Sequence, residues 1–220
     1  MEAKFLSHSV SVNTPSYGTG ESKLKIENTK SISRGDSSNV SVFTMENHLS
    51  THVDCPAHFF TNGTRVATYT ADAWFFGKPH VVYVAACENQ LIGKDDLGRI
   101  PEDCDLVLIK TGFQRYRGHD NYSCANPGLE PGVGDFLRRR HPSLRALGLD
   151  LISVSSYSNR ELGRITHRTF LDPDGVGSPI LIIEDMDLDH DLSGLRAVWA
   201  LPLRMEGIDS APCTVVGIFE

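Results

Sequence analysis

The sequence predicts a mixed α/β protein, rich in strands and poor in helices. Three observations lead there. Six short apolar or β-branched runs have strand length, glycine and proline punctuate the connections, and only two stretches carry helix signals. No internal repeat or low-complexity linker interrupts the 220 residues, so one domain over 1–220 is expected.

The expected strands are residues 81–86, 106–110, 149–154, 180–184, 198–203 and 214–219. Gly77-Lys78-Pro79, Gly93, Pro127-Gly128 and Gly175-Val176-Gly177 break the chain between them. The first expected helix runs Pro131–Arg140. Proline suits a first helical turn, and Arg138-Arg139-Arg140 meets the negative end of the helix dipole. A solvated face is the preferred reading of those arginines over anion binding. The second helix is expected to start at Ser158, whose spacing to Glu161 is that of a capping box. Leu162, Ile165, Thr169 and Phe170 would form its apolar stripe, with His167 beside it, and Pro173 would stop it.

Composition removes several function classes. A hydrophobic fraction of 40% with 22% charged residues describes an ordinary folded chain. A net charge of −7 argues against gripping nucleic acid by its phosphates. No apolar run approaches the ~20 residues of a membrane span. Met1-Glu2-Ala3-Lys4 is not a basic region followed by an apolar run, so no signal peptide is expected. Five cysteines, an odd number without a C-x-x-C pair, read as reduced thiols in a cytoplasmic protein, Cys55 serving as core or wall.

The chemistry concentrates in His48-Leu49-Ser50-Thr51-His52-Val53-Asp54-Cys55-Pro56-Ala57-His58. Imidazole nitrogens and a carboxylate are ligand types for zinc, manganese or iron. In an extended chain His52 and Asp54 share a face, roughly 7 Å apart. His48 would then lie ~20 Å from Asp54, and it joins them only if 49–51 make a turn. The competing reading is three ordinary histidines on a polar loop. Pro56 stiffens the return to His58, and a free histidine beside a metal is a natural proton shuttle.

A second cluster comprises His167 and Glu184. Glu184 closes an apolar strand and needs a cation, either metal or arginine. Asp185, Asp187, Asp189 and Asp191 continue as an acidic run, read as a solvated loop because EF-hand spacing is missing. Phe59, Phe60, Trp74 and Phe75 are candidates for an aromatic substrate wall, with a core role as the competing reading.

The segment 48–58 resembles the H-x-G-T-H-x-D-x-P-x-H signature of the cyclase family of metal-dependent hydrolases, which includes bacterial kynurenine formamidases and isatin hydrolases. Weaker likenesses extend it over nearly the whole chain: Leu108-Ile109-Lys110-Thr111-Gly112-Phe113, Gly148-Leu149-Asp150 with Ser153-Val154, and Ile182-Ile183-Glu184-Asp185-Met186. The chain departs from the pattern at Ser50, in place of the glycine, and at Ser155-Ser156, where formamidases tend to have Asp-Pro.

The resemblance implies a swivelling β/β/α fold with a central barrel-like sheet, assembled as a homodimer or tetramer. It implies that His48, His52 and Asp54 bind one divalent metal, and that Asp54, His167 and Glu184 bind a second in two-metal members. Zinc stands first and manganese second. His58 would be the general acid/base. The expected activity is hydrolysis of an aryl formamide or lactam by a metal-activated water, with a small molecule as the only partner besides the second copy. The rival readings are a metal-dependent cyclase or dehydratase, and a non-catalytic small-molecule-binding protein on the same fold.

Overall fold

The computed structural model describes residues 1–20 and 23–220. In chain order the strands are β1 (Glu2–Phe5), β2 (Lys25–Lys30), β3 (Val40–Thr44), β4 (His52–Asp54), β5 (Phe75–Phe76), β6 (Pro79–Tyr83), β7 (Leu91–Ile92), β8 (Leu106–Lys110), β9 (Gly128–Leu129), β10 (Ala146–Leu149), β11 (Leu181–Glu184), β12 (Leu195–Pro202) and β13 (Ser210–Phe219). The α-helices are α1 (Asp120–Cys124), α2 (Pro131–Arg140) and α3 (Arg160–Leu171). One mixed sheet runs β5-β12-β13-β4-β11-β10-β8-β6, with β1 added on β13. Because β12 also touches β6, the sheet curls until its ends nearly meet, giving the barrel-like form.

The strands β6, β8, β10 and β11 are parallel; the inner three, β8, β10 and β11, read as apolar runs because both of their faces are buried, whereas β6 at the sheet's end is only partly covered. Leu106 and Leu108 join an inner core with Val53, Ile183, Val198 and Val215. Val107 and Ile109 point the other way, into a layer shared with Leu147, Val133, Leu137 and Phe170 beneath α2 and α3.

The short strand β4 lies antiparallel between β11 and β13, in the middle of the sheet. Its register pairs His52 with Glu184 on one side, and Asp54 with Ser210 on the other. Directly paired residues share a face, so His52, Asp54, Glu184 and Ser210 all stand on the side facing α3. Val53, between them, faces the inner core.

The bounds of β8 and α2 coincide with the expected ones. The strand expected over 149–154 ends at Leu149 instead. The Asp150 carboxylate accepts from the Thr111 N–H, the Thr111 hydroxyl and the Gly112 N–H at 2.6–2.8 Å, and this turns the chain. Leu151, Ile152 and Val154 are buried in the core without being strand. Ladder pairing sets β6 at Pro79–Tyr83, starting two residues and ending three residues before the expected 81–86.

Helix α3 begins later than expected. Asn159, not Ser158, caps it, its side chain accepting from the Leu162 N–H. Its buried face is Gly163, Thr166, His167, Phe170 and Leu171, so His167 lies within the packed face, while Ile165 of the expected stripe is exposed. Arg138 also departs from the expected solvated face. It is buried, and its guanidinium donates to the carbonyls of Thr169, Asp172 and Gly177, tying α2 to the end of α3. Strands β2 and β3 form a separate hairpin, exposed along its length, that no sequence pattern announced.

Candidate metal centre and its cleft

A turn over 47–51 precedes β4, and it sets the His48 and His52 rings 5.1 Å apart. Ser50 takes φ +62° in this turn, where the likened signature has glycine. Glycine adopts that conformation without steric cost and serine does not. After Asp54, Pro56 opens a single 3₁₀ turn, Pro56–His58, which folds His58 back until its ring lies 4.2 Å from that of His48. Strand β11 delivers Glu184 and α3 delivers His167.

The distances are those of a closed constellation. His48 Nδ1 lies 3.0 Å and His52 Nε2 lies 3.6 Å from Asp54 Oδ1. His167 Nε2 lies 3.7 Å from Asp54 Oδ2 and 3.3 Å from Glu184 Oε1. His52 Nε2 is 3.4 Å from Glu184 Oε2. The alternative of an arginine partner is not realised: among the described residues Glu184 pairs only with His52 and His167, while Arg117 pairs with the neighbouring Asp185, to whose carboxylate Tyr122 also donates. Asp185 is therefore a buried structural acid rather than part of a solvated loop.

Two features of this constellation fit a divalent cation. The first is orientation. The His52 Nδ1–H donates to the Ser50 carbonyl at 2.8 Å, and the His167 Nδ1–H donates to the Gly163 carbonyl at 2.9 Å. Each bond leaves Nε2 as a lone pair aimed at the carboxylates, which is how proteins hold metal-ligating imidazoles. The second is dissatisfaction. His52 Nε2 and both Asp54 oxygens are buried without a partner at hydrogen-bonding geometry. Buried polar atoms of that kind are rare and call for an explanation. Two groups of three ligand atoms share Asp54: His48, His52 and Asp54, and Asp54, His167 and Glu184.

The electrostatics agree. Burial works against a charged His48, yet the facing carboxylates of Asp209 and Asp54, with Glu184 behind them, carry it up to about 10. Burial likewise opposes charge on His52 and His167, and Asp54 and Glu184 raise both. Burial raises Glu184, and His167 and His52 reverse this, leaving it well below the usual carboxylate range. With no cation, the carboxylates hold protons on the imidazoles in its place.

Asp209, just before β13, is a functional candidate that the sequence reading missed. Its carboxylate lies 2.8 Å from His58 Nδ1 and 3.8 Å from His48 Nε2. Burial is the main effect lowering His58, with His48 and His167 adding to it against Asp54 and Asp209. Other missed groups are Ser153, whose hydroxyl donates to Glu184, the Val154 N–H, which does the same at 2.7 Å, and Ser155, whose hydroxyl is 3.0 Å from His167 Nδ1. Ser210 was also missed; its hydroxyl lies 3.0 Å from His48 Nε2.

The constellation floors a cleft of about 310 Å³, walled by Tyr17, Phe59 and Ile152 and rimmed by Arg160 and Arg164. Phe59 stacks on His167, their ring centres 5.0 Å apart. The other three aromatics expected at a substrate wall lie outside it. Phe60 packs on the core beneath the Arg168 guanidinium, Trp74 is buried in the inner core, and Phe75 lies against Trp199.

Against this geometry stand the likenesses to known proteins. The sequence model of the family described as "Putative cyclase" matches residues 5–156. The chain belongs to that family. Kynurenine formamidase of Bacillus thuringiensis subsp. konkukian is 28% identical over 198 residues, covering 90% of this chain and 88% of the relative. Kynurenine formamidase of Geobacillus thermodenitrificans is 28% identical over 177 residues, covering 79% and 77%. Among solved structures, isatin hydrolase A from Ralstonia solanacearum superposes with a TM-score of 0.76 at 20% identity, over 100% of this chain and 92% of that one. A potential metal-dependent hydrolase with cyclase activity gives 0.73 at 21% identity, over 98% and 96%. These likenesses bear out the strand-rich α/β fold with its barrel-like sheet.

Proposed function

We propose that this cyclase-family chain hydrolyses the amide bond of an aryl formamide or a lactam with the help of a divalent metal. The observation that carries the reading is the buried, unsatisfied Asp54 carboxylate between two sets of oriented imidazole and carboxylate ligands. His48, His52 and Asp54 would hold one ion, and Asp54, His167 and Glu184 a second. Residues that held such an ion would gain from it Lewis-acid chemistry: activation of water near neutral pH and polarisation of a carbonyl oxygen.

The remaining steps belong to the chain. Asp209 fixes the His58 ring through Nδ1, which leaves Nε2 to take a proton from the attacking water and return it to the leaving nitrogen. Lowered by burial, His58 is neutral near pH 7 and ready to accept. Phe59, held flat on His167, offers an apolar face to the ring of an aryl substrate. The Val154 N–H and the Ser153 hydroxyl donate to Glu184 and hold its carboxylate in place.

The finer terms of the proposal are zinc ahead of manganese, as suits imidazole with carboxylate, two ions per chain, one domain over the whole chain, a cytoplasmic location, and a homodimer or tetramer. The two triads sharing Asp54 support two ions. The free cysteines, three of five buried, support a reducing compartment. No described helix is long and apolar enough to cross a membrane. The deciding experiment loads the purified protein with zinc or manganese and offers a panel of aryl formamides and lactams. Release of the carboxylic acid is expected. Turnover without acid release would favour cyclisation or dehydration instead, and an inert but ligand-binding protein would overturn the catalytic reading.

A further inference from the structure

The rim of the cleft carries two arginines that the proposed chemistry does not use. Arg160 and Arg164 stand one turn apart at the start of α3 and both line the cleft. His167 follows on the same row, so along the helix Arg164 lies roughly 4.5 Å and Arg160 roughly 10.5 Å from His167, at 1.5 Å per residue. The next arginine on that row, Arg168, is already committed: it donates to the Phe59 carbonyl at 3.1 Å and covers the Phe60 ring. Arg160 is held against the Tyr157 ring, 5.0 Å from its centre. Among the described residues, neither Arg160 nor Arg164 has a carboxylate partner. The acids near the cleft floor are turned to the imidazoles instead.

A solvated helix face accounts for one free arginine more readily than for two that converge on the mouth of a polar cleft in a chain of net charge −7. The cleft is a size that holds a single substituted ring. With the scissile carbonyl at the His52–Asp54 floor and the ring on Phe59, a substituent at the far side of that ring comes level with the first turns of α3. There it meets two guanidinium groups and the positive end of a twelve-residue helix. Guanidinium pairs bidentately with a planar carboxylate.

Resting on the amide-hydrolase reading, we propose that Arg160 and Arg164 form a subsite for a carboxylate on the substrate, so that the preferred substrates are anionic aryl amides. The subsite binds and orients the substrate and takes no part in proton transfer.

The test compares formanilide with its ortho, meta and para carboxylates as substrates, and aniline with the matching aminobenzoates as ligands in calorimetry that needs no turnover. The metal-loaded protein is expected to favour at least one carboxylate about tenfold over the neutral compound in both series. That is the effect of ~1.4 kcal/mol from a partly screened pair. The Arg164→Gln and Arg160→Gln variants should lower this carboxylate-to-neutral ratio, Arg164→Lys should keep part of it, and Arg139→Gln, on the far helix, should keep it whole. The ratio should also shrink as ionic strength rises. A wild-type ratio near one in both series, or a ratio unchanged in both glutamine variants, would overturn the subsite. Carboxylate-selective calorimetry without hydrolysis would keep the subsite and overturn the hydrolase reading. Hydrolysis with no selectivity would do the reverse.

Discussion

Replacing Gly163 by alanine probes how tightly the second half of the metal site is set. Gly163 lies on the buried face of α3 against Ser155, and a methyl there would overlap Ser155 Oγ and Cβ and sit 3.0 Å from its Cα. Either the 153–156 loop or the helix must move. Overpacking of this kind costs about 1–3 kcal/mol, and the better helix propensity of alanine returns about 0.8–1. A net loss of up to ~2 kcal/mol follows, which lowers the midpoint of a chain this size by up to ~8 °C. The larger effect should fall on the site. His167 takes both partners of its Nδ1 from this spot, the Gly163 carbonyl and the Ser155 hydroxyl, and the same loop supplies the Val154 N–H to Glu184. A shift near 1 Å in a ligand set costs on the order of 10²-fold in rate. Turnover, bound metal per chain and thermal midpoint should be measured for Gly163→Ala and for the double variant with Ser155→Gly, which removes the overlapping atoms. The midpoint should recover in the double variant. Wild-type turnover and metal content in Gly163→Ala itself would refute the idea that this close approach sets the geometry of His167.

Further outcomes are expected. His52→Ala should lose about one of its two bound ions by elemental analysis, and His58→Ala should keep both while losing roughly 10²–10⁴-fold in turnover, the range for a missing general acid/base. Asp209→Asn should retain metal and lose turnover by about 10–100-fold, in line with other partners that orient a histidine; wild-type rates would remove Asp209 from the site's machinery. Metal affinity should rise with pH through the neutral range. In the metal-free protein His48 is raised to about 10 and keeps its proton until a metal displaces it, so a flat profile in competition titrations would contradict the assignment. Ser50→Gly should stabilise the fold by about 1 kcal/mol in chemical denaturation by relieving φ +62°. Asp185→Ala should destabilise it by about 3–5 kcal/mol, because Arg117 and Tyr122 lose their shared partner.

The parts of this site that were legible in the sequence are those whose geometry is local. His48, His52 and Asp54 sit close enough along the chain for a turn and a strand to bring them together, and the structure makes that turn and that strand. Glu184 and His167 are more than a hundred residues away, and a charge closing an apolar strand was the only local sign of the first. Asp209 had no such sign. It precedes an ordinary strand, and only the pairing of β13 with β4 carries it to His58. Aromatics after the motif misled for a related reason: Trp74 and Phe75 are near in sequence, but a curled sheet separates them from the cleft. The β2–β3 hairpin escaped notice because neither of its faces is buried: Ile26 is the one apolar residue of β2, and the short run Val40-Ser41-Val42-Phe43 stays exposed.

The three-residue strand β4 has a consequence for how the molecule can go wrong. Side chains alternate along a strand, so sliding β4 by one position between β11 and β13 would turn His52 and Asp54 into the apolar interior and push Val53 toward α3. Two ionisable groups without partners in that interior would cost several kcal/mol each, far more than a slipped ladder could recover. The ligands therefore act as a proofreader of their own strand register: a chain that has paired its central strands wrongly cannot hide the error. Bound metal per chain after refolding would then count the molecules whose central sheet has assembled correctly, independently of any substrate.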